Sequence, residues 1–274
     1  MTRRYAVIGN PVKHSLSPRI HAMFGELTGV SLEYTALLAP LDGFVRTVEA
    51  FFGSGGSGVN VTLPFKEAAY DWVTECDEHA GTAAAVNTVV RVEHGFRGCN
   101  TDGIGLVRDL TSNLGITLRA ARLLVLGGGG AVRGVLGPLL GTSPASLTIA
   151  NRTMARATAL VERLEDPRLR AVALAELEGP FDVVINGTSA GLLGARPQIA
   201  PGVVAGTVVY DMVYGANAAP FLRWAVEHGA ARAHDGLGML VEQAAEAFVL
   251  WHGGRPDSAA VLARLRQRVD PGAA

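Results

Sequence analysis

Short apolar runs of strand length recur along all 274 residues with helical patterns between them, and few architectures bury such a series. The runs are Tyr5 to Ile8, Glu33 to Leu37, Gly58 to Val61, Val86 to Val92, Leu123 to Leu126, Leu147 to Ala150, Asp182 to Asn186 and Val208 to Asp211. Strands alternating with helices predict a parallel α/β fold, because each parallel connection needs a crossover that a helix supplies. Ser17-Pro18 opens one helix pattern that ends near Gly29, and Asn100-Thr101-Asp102 opens another that ends near Gly115. The length favours two domains over one large core, at about 150 residues each, and Asn100 to Asp102 is the expected junction. Gly53 to Gly58 is short enough to be an ordinary loop and not a linker. The tail from Leu240 to Arg268 reads as two helices separated by Gly253, Gly254 and Pro256. Leu240, Ala244, Ala247, Phe248 and Trp251 share one face there, so the pair is expected to pack back on a core.

Composition narrows the partners. Apolar residues make up 49% and charged residues 18%, too little charge for a disordered chain. A net charge of -1 provides no global positive field for nucleic acid or an anionic membrane, so a small-molecule partner is expected. Arg3 and Arg4 are followed only by Ala6, Val7 and Ile8 before Gly9, shorter than the roughly 7 to 15 apolar residues of a signal peptide. Gly134 to Asn151 is uncharged but broken by Pro138, Gly141 and Pro144, so it falls short of the roughly 18 apolar residues of a membrane span. Cys76 and Cys99 alone argue against a disulfide framework or a structural zinc site, and no metal is expected. These readings place the chain in a reducing compartment, the cytoplasm.

Leu123 to Leu126 runs directly into Gly127, Gly128, Gly129, Gly130 and Ala131, and a helical stretch follows to Leu140. A strand, a glycine turn and a helix start present backbone N–H groups where a pyrophosphate can bind. Val132 replaces the third glycine of the usual dinucleotide fingerprint, so the turn alone fits a cofactor site or a merely flexible bend. The next strand decides more. It ends at Asn151-Arg152-Thr153, where an NAD site places a carboxylate on the ribose 2'-hydroxyl. Neutral Asn151 with Arg152, and Arg156 one helical turn on, suits a 2'-phosphate instead, and NADP is the expected cofactor.

Of 24 basic residues only Lys13 and Lys66 are lysine. A guanidinium keeps its proton near neutral pH whereas an amine can exchange one, so a lysine kept in an arginine-rich chain marks a candidate acid–base group. Lys66 closes Asn60-Val61-Thr62-Leu63-Pro64-Phe65-Lys66, a strand end turning through proline into a helix start.

Seven segments in order resemble the shikimate dehydrogenase family over essentially the whole chain. They are Gly9-Asn10-Pro11 with His14-Ser15-Leu16-Ser17-Pro18, Asn60 to Lys66, Ala85-Val86-Asn87-Thr88, Asn100-Thr101-Asp102-Gly103, Gly127 to Ala131, Asn151-Arg152-Thr153, and Gly238 to Gln243. The resemblance implies reversible NADP-linked reduction of 3-dehydroshikimate to shikimate, toward chorismate and the aromatic amino acids. It implies two α/β domains: residues 1 to 101, completed by 238 to 274, for substrate, and a Rossmann-type domain, residues 102 to 237, for NADP. The C-terminal helices return to the first domain, and the active site lies in a cleft. Lys66 and Asp102 match the catalytic pair, the lysine exchanging the proton of the reacting oxygen and the aspartate holding the ammonium and the adjacent hydroxyl.

Ser15 and Ser17 match carboxylate-binding hydroxyls, and Asn60, Thr62, Asn87, Tyr214 and Gln243 match residues around the ring hydroxyls. On the cofactor side, Thr188, Met212, Gly236 and Glu78 join the glycine turn and the Asn151 to Arg156 segment. His14 and His21 read as structural. The motifs leave open an NAD-linked quinate/shikimate enzyme, a dinucleotide-binding regulator without turnover, and the choice of monomer or homodimer.

Overall fold

The computed structural model describes residues 2–269. The chain forms two compact units, one built from the chain up to Gly105 together with the segment from Leu240 onward, the other from Leu106 to Met239.

Among the described residues the first unit carries six strands: β1 (Arg3–Gly9), β2 (Leu32–Leu38), β3 (Gly58–Val61), β4 (Glu75–Cys76), β5 (Thr88–Val92) and β6 (Gly95–Cys99), in the order β2-β1-β3-β5-β6-β4. Its helices are α1 (Ser17–Thr28), α2 (Phe44–Gly53), α3 (Lys66–Trp72) and α4 (Glu78–Ala83). Phe44, Val48, Phe51 and Phe52 fall on one face of α2 and are buried, the helical spacing that an amphipathic helix on a sheet requires. Asp77 caps α4 by accepting a hydrogen bond from the Ala80 N–H at 2.7 Å, an interaction worth about 1 kcal/mol.

The expectation of a wholly parallel sheet fails in this unit. β1 runs parallel to β2 and β3, but β5 is antiparallel to both β3 and β6. Glu93 and His94 return the chain in a tight turn completed by Gly95 at φ +119, and so short a connection joins only antiparallel neighbours.

The second unit holds β7 (Arg122–Leu126), β8 (Ser146–Asn151), β9 (Leu169–Ala173), β10 (Val183–Asn186), β11 (Val208–Asp211) and β12 (Arg232–Asp235), all parallel, in the order β9-β8-β7-β10-β11-β12. Taken in chain order within the unit this is 3-2-1-4-5-6, the doubly wound Rossmann arrangement, whose switch point lies between β7 and β10. Leu123 to Leu126 are all fully buried, as an interior parallel strand covered on both faces demands.

Helix α5 (Asp102–Arg108) carries the chain out of the first unit, and α6 (Gly130–Gly141), α7 (Met154–Leu164) and α8 (Ala219–Glu227) belong to the second. Helix α9 (Leu237–His252) carries it back, followed by α10 (Ser258–Val269). The units part inside α5 and α9, a few residues beyond the divisions at 101 and 237 that the motifs imply. A capping signal marks where a helix begins, and a continuous helix runs on past it. Trp251 of α9 stacks on Tyr5 of β1 at 4.5 Å, and Phe248 meets Phe24 of α1 edge-on at 5.7 Å, so the tail closes the first unit's core.

Candidate active site

Lys66 is the first residue of α3. Phe65 before it is buried and stacks on Phe44 at 5.4 Å, and the Val86 N–H donates to the Lys66 carbonyl at 2.9 Å, so the helix start is held on both sides. Asp102 opens α5, but its carboxylate is not spent as a cap: the Asp102 N–H donates to Asn100 Oδ1 at 3.1 Å, and Asn100 is itself anchored by its Nδ2 donating to the Ala85 carbonyl at 2.9 Å. Asp102 Oδ2 therefore stays available and pairs with Lys66 Nζ. The two side chains are 14% and 8% exposed, so the pair is largely out of water. A buried ion pair seldom stabilises a fold beyond what apolar packing would achieve, so this one points to chemistry.

Neutral polar groups of the first unit include Asn87, which meets the pair directly. Asn87 Nδ2 donates to Asp102 Oδ1 at 2.8 Å and to Thr101 Oγ1 at 2.9 Å, and Gln243 Oε1 lies 3.5 Å from the same nitrogen. Gln243 is buried, not an exposed helix position, and its Nε2 donates to the Leu240 carbonyl at 2.8 Å. Gly105 permits this approach, since a Cβ there would come within 2.7 Å of Gln243 Cβ and its backbone nitrogen. Asn60 is buried, with its Nδ2 donating to Thr88 Oγ1 at 2.9 Å and to the Asn87 carbonyl at 3.2 Å. Ser17 is buried at the start of α1, its hydroxyl 3.2 Å from that of Ser15. Thr62 is half-buried at the end of β3.

Lys66, Asp102, Asn60, Thr62, Asn87, Ser15, Ser17 and Gln243 all belong to the first unit, whereas Tyr214 lies in the second, half-buried just after β11. His14 is exposed, and His21 is buried parallel to the Tyr34 ring at 4.3 Å. Burial, with the nearby His252, pushes the His21 imidazole down to about 3. Tyr34, Thr88 and Thr101 also belong to this network, though no spacing in the sequence announces their part in it. Thr88 stands directly opposite Asn60 in the β3–β5 register, and only the antiparallel pairing reveals that neighbour.

In the second unit the glycine turn follows β7, beside the switch point. Gly127 has φ +118, a conformation that only glycine adopts without strain. A Cβ on Gly128 would sit 3.2 Å from both Arg156 Cβ and Asn151 Nδ2, so the turn, the end of β8 and the first turn of α7 are packed against one another. Helix α6 begins at Gly130 behind Gly129, with no side-chain cap and no acidic residue in its first turn, which leaves its N–H groups and dipole for an anion. Ala131 lies in that turn, half-buried. Arg152, Thr153 and Arg156 are exposed, and Asn151 Nδ2 donates to the Thr153 carbonyl at 2.9 Å.

Thr188 donates through N–H and hydroxyl to Asn186 Oδ1 at 3.0 and 2.7 Å, and the Met212 sulfur stands 3.1 Å from where a Gly187 Cβ would be. Gly236 lets β12 approach Met212, whose carbonyl carbon lies 2.6 Å from a Cβ placed there. Uncharged depth at the turn and exposed guanidinium groups at the end of β8 fit a dinucleotide bearing an extra phosphate. Glu78 stands exposed in the first turn of α4, a position the helix dipole favours for a carboxylate.

Comparison with known proteins gives three matches to family descriptions. Residues 7–89 match a shikimate dehydrogenase substrate binding domain, residues 109–195 shikimate / quinate 5-dehydrogenase, and residues 236–266 a shikimate 5'-dehydrogenase C-terminal domain. The chain is 57% identical to shikimate dehydrogenase (NADP(+)) of Alkalilimnicola ehrlichii over 268 residues, 97% of this chain and 99% of that one. It superposes on a crystal structure of an Ael1 enzyme from Pseudomonas putida with a TM-score of 0.92 and 46% identity, over 96% of this chain and 98% of that one. With shikimate 5-dehydrogenase from Thermus thermophilus, solved in complex with NADP(H) and shikimate, the TM-score is 0.86 and the identity 35%, over 98% of this chain and 100% of that one.

Proposed function

The chain belongs to the shikimate dehydrogenase family, and from that premise we propose that it interconverts 3-dehydroshikimate and shikimate with NADP, using Lys66 and Asp102 to manage the proton. NADPH, when bound at the Gly127 to Ala131 turn, supplies the hydride. In the reducing direction Lys66 Nζ donates a proton to the substrate oxygen as the carbonyl carbon is reduced, and in the oxidising direction it receives that proton. Asp102 Oδ2 holds the ammonium in line, and Oδ1 is fixed by Asn87. The Ser15 and Ser17 hydroxyls receive the substrate carboxylate, and Asn60, Thr62, Asn87 and Gln243 supply neutral partners for the ring hydroxyls. Arg152 and Arg156, with Asn151 and Thr153, would hold the 2'-phosphate, while Thr188, Met212 and Gly236 would flank the nicotinamide. The enzyme works in the cytoplasm as a monomer or homodimer.

The observation that carries this reading is the shielded Lys66–Asp102 pair with the Asn87 amide on its free carboxylate oxygen. Initial rates with shikimate and quinate, each with NADP and NAD, test it. Shikimate oxidation with NADP is expected at a specificity constant about 100-fold above that with NAD, since two charge-assisted contacts at about 1.5 kcal/mol or more each are lost without the phosphate. Equal constants for the two cofactors would reject the arginine assignment, and cofactor binding with no turnover would make the chain a regulator.

A further inference from the structure

We propose that Tyr34 and Thr88 are positioning residues for the Lys66–Asp102 pair, holding the Asn60 and Asn87 amides in one orientation so that Asp102 keeps one oxygen for Asn87 and the other for Lys66. The inference rests on the assignment of Lys66 and Asp102 as the proton-handling pair.

An amide side chain can present its oxygen or its nitrogen to the same neighbour, and its partners decide which. Tyr34 is buried, and burial pushes its phenol well above the ordinary value, so at working pH it is a neutral group with one proton to give. That proton goes to Asn60 Oδ1 at 2.7 Å. The Asn60 nitrogen must then face Thr88, whose oxygen accepts at 2.9 Å. The Thr88 hydroxyl hydrogen goes to Asn87 Oδ1 at 2.9 Å, an oxygen that also receives the Thr101 N–H at 2.9 Å. Only the Asn87 nitrogen remains to face Asp102 Oδ1, which it does at 2.8 Å. Were Asn87 reversed, an amide oxygen would oppose a carboxylate oxygen.

The relay has one sense throughout, and two backbone groups agree with it: the Asn87 carbonyl receives the Asn60 nitrogen at 3.2 Å and the Thr101 N–H donates to Asn87 Oδ1. It runs from the Tyr34 phenol to the carboxylate that holds the ammonium. Tyr34, Asn60 and Thr88 lie on three different strands, β2, β3 and β5, so no sequence spacing announces the chain of bonds.

The test compares Tyr34→Phe, Thr88→Val and Thr88→Ser in steady-state shikimate oxidation with NADP, with thermal unfolding measured alongside. Tyr34→Phe keeps the ring stacked on His21 and removes only the hydroxyl. Its kcat should fall about 10-fold, the factor that one lost buried hydrogen bond gives, with KM for NADP unchanged. Thr88→Ser keeps the hydroxyl and should hold kcat near wild type, whereas Thr88→Val, which keeps the volume and loses the hydroxyl, should lose about 10-fold. A purely packing role predicts that kcat follows the unfolding temperature, with serine no better than valine. Equal kcat for the serine and valine variants, or an unaltered Tyr34→Phe, overturns the relay. Lys66→Ala assayed beside them separates the two failures. Near-normal turnover there overturns the pair and the relay together, while a silent Lys66→Ala with unaltered Tyr34→Phe overturns the relay alone.

Discussion

Among the described residues, Lys66 Nζ pairs with the Asp102 carboxylate, the group assigned beside it to the proton step. Truncation should therefore be felt in the reaction more than in the structure. Lys66→Ala is expected to lower kcat by about 100- to 10,000-fold, the usual share of a general acid–base group, with the shikimate dissociation constant little changed by calorimetry. Lys66→Arg keeps the charge and should be nearly as slow, because a guanidinium does not surrender its proton. Asp211 carries a second residue-level expectation. It is fully buried at the end of β11, hydrogen-bonded by the Val213 N–H and by Asn186 Nδ2, both at 2.9 Å. Burial raises its carboxyl to about 6, outweighing those two bonds. The folded state then holds the proton more tightly than the unfolded one, so this group's stabilisation is full below about pH 4 and is lost as pH rises through 6. Asp211→Asn removes that dependence. Between roughly pH 4.5 and 7.5 the stability difference between wild type and variant should shift by about 2 kcal/mol in favour of the variant, measured by urea unfolding, and no shift would refute the raised carboxyl. At this scale the sequence exposed Lys66 through the scarcity of lysine and Asp102 through its motif. It hid Tyr34 and Thr88, because their meaning lies in partners on other strands.

Between elements, the glycine turn is a packing joint as well as the proposed cofactor site. Gly128 lies against Arg156 Cβ and Asn151 Nδ2 on α7 and β8, so a methyl group there displaces the residues assigned to the 2'-phosphate by a few tenths of an ångström. Gly128→Ala is expected to raise KM for NADP about 10-fold while leaving KM for shikimate and saturated kcat unchanged. At the other end of α6 a Cβ on Gly141 meets nothing within 4 Å, so Gly141→Ala should leave all three constants alone. Equal responses from the two variants would show that the turn's packing does not reach the cofactor site. The same contrast explains which elements the sequence displayed. β7, β10 and β11 are covered on both faces and spell continuous apolar runs. β4, β9 and β12 sit at sheet edges, and β6 lies next to one, where Glu75-Cys76, Leu169 to Ala173, Arg232 to Asp235 and Gly95 to Cys99 mix polar and small residues. The helical run after Asp102 hid another departure, because its second half, Asp109–Asn113, is a π-helix around a buried carboxylate. Tyr210 donates to Asp109 Oδ2 at 2.6 Å and Asn113 Nδ2 to Oδ1 at 2.9 Å, a demand that periodicity cannot convey.

Over the whole chain, 24 basic and 25 acidic residues nearly cancel, so attraction for an anionic ligand has to be local. The two ligands of the proposed reaction then differ in what attracts them. The extra phosphate of NADP is assigned to exposed Arg152 and Arg156, whose charges a salt solution screens over about 10 Å at 0.1 M. The substrate carboxylate is assigned to the Ser15 and Ser17 hydroxyls, neutral donors whose hydrogen bonds depend little on ionic strength. Raising salt from roughly 0.05 to 0.5 M should therefore increase KM for NADP by about 10-fold and leave KM for shikimate within about twofold. The Arg152→Ala/Arg156→Ala double variant separates this from a general salt effect on the protein. Its KM for NADP should already be high at low salt and should no longer respond to added salt, while its unfolding temperature matches wild type, since both arginines are exposed. If KM for shikimate rose in step with KM for NADP, a charged group would have to be receiving the substrate carboxylate, and the serine assignment would fail. If the double variant kept the full salt dependence, the phosphate would be held elsewhere on the chain.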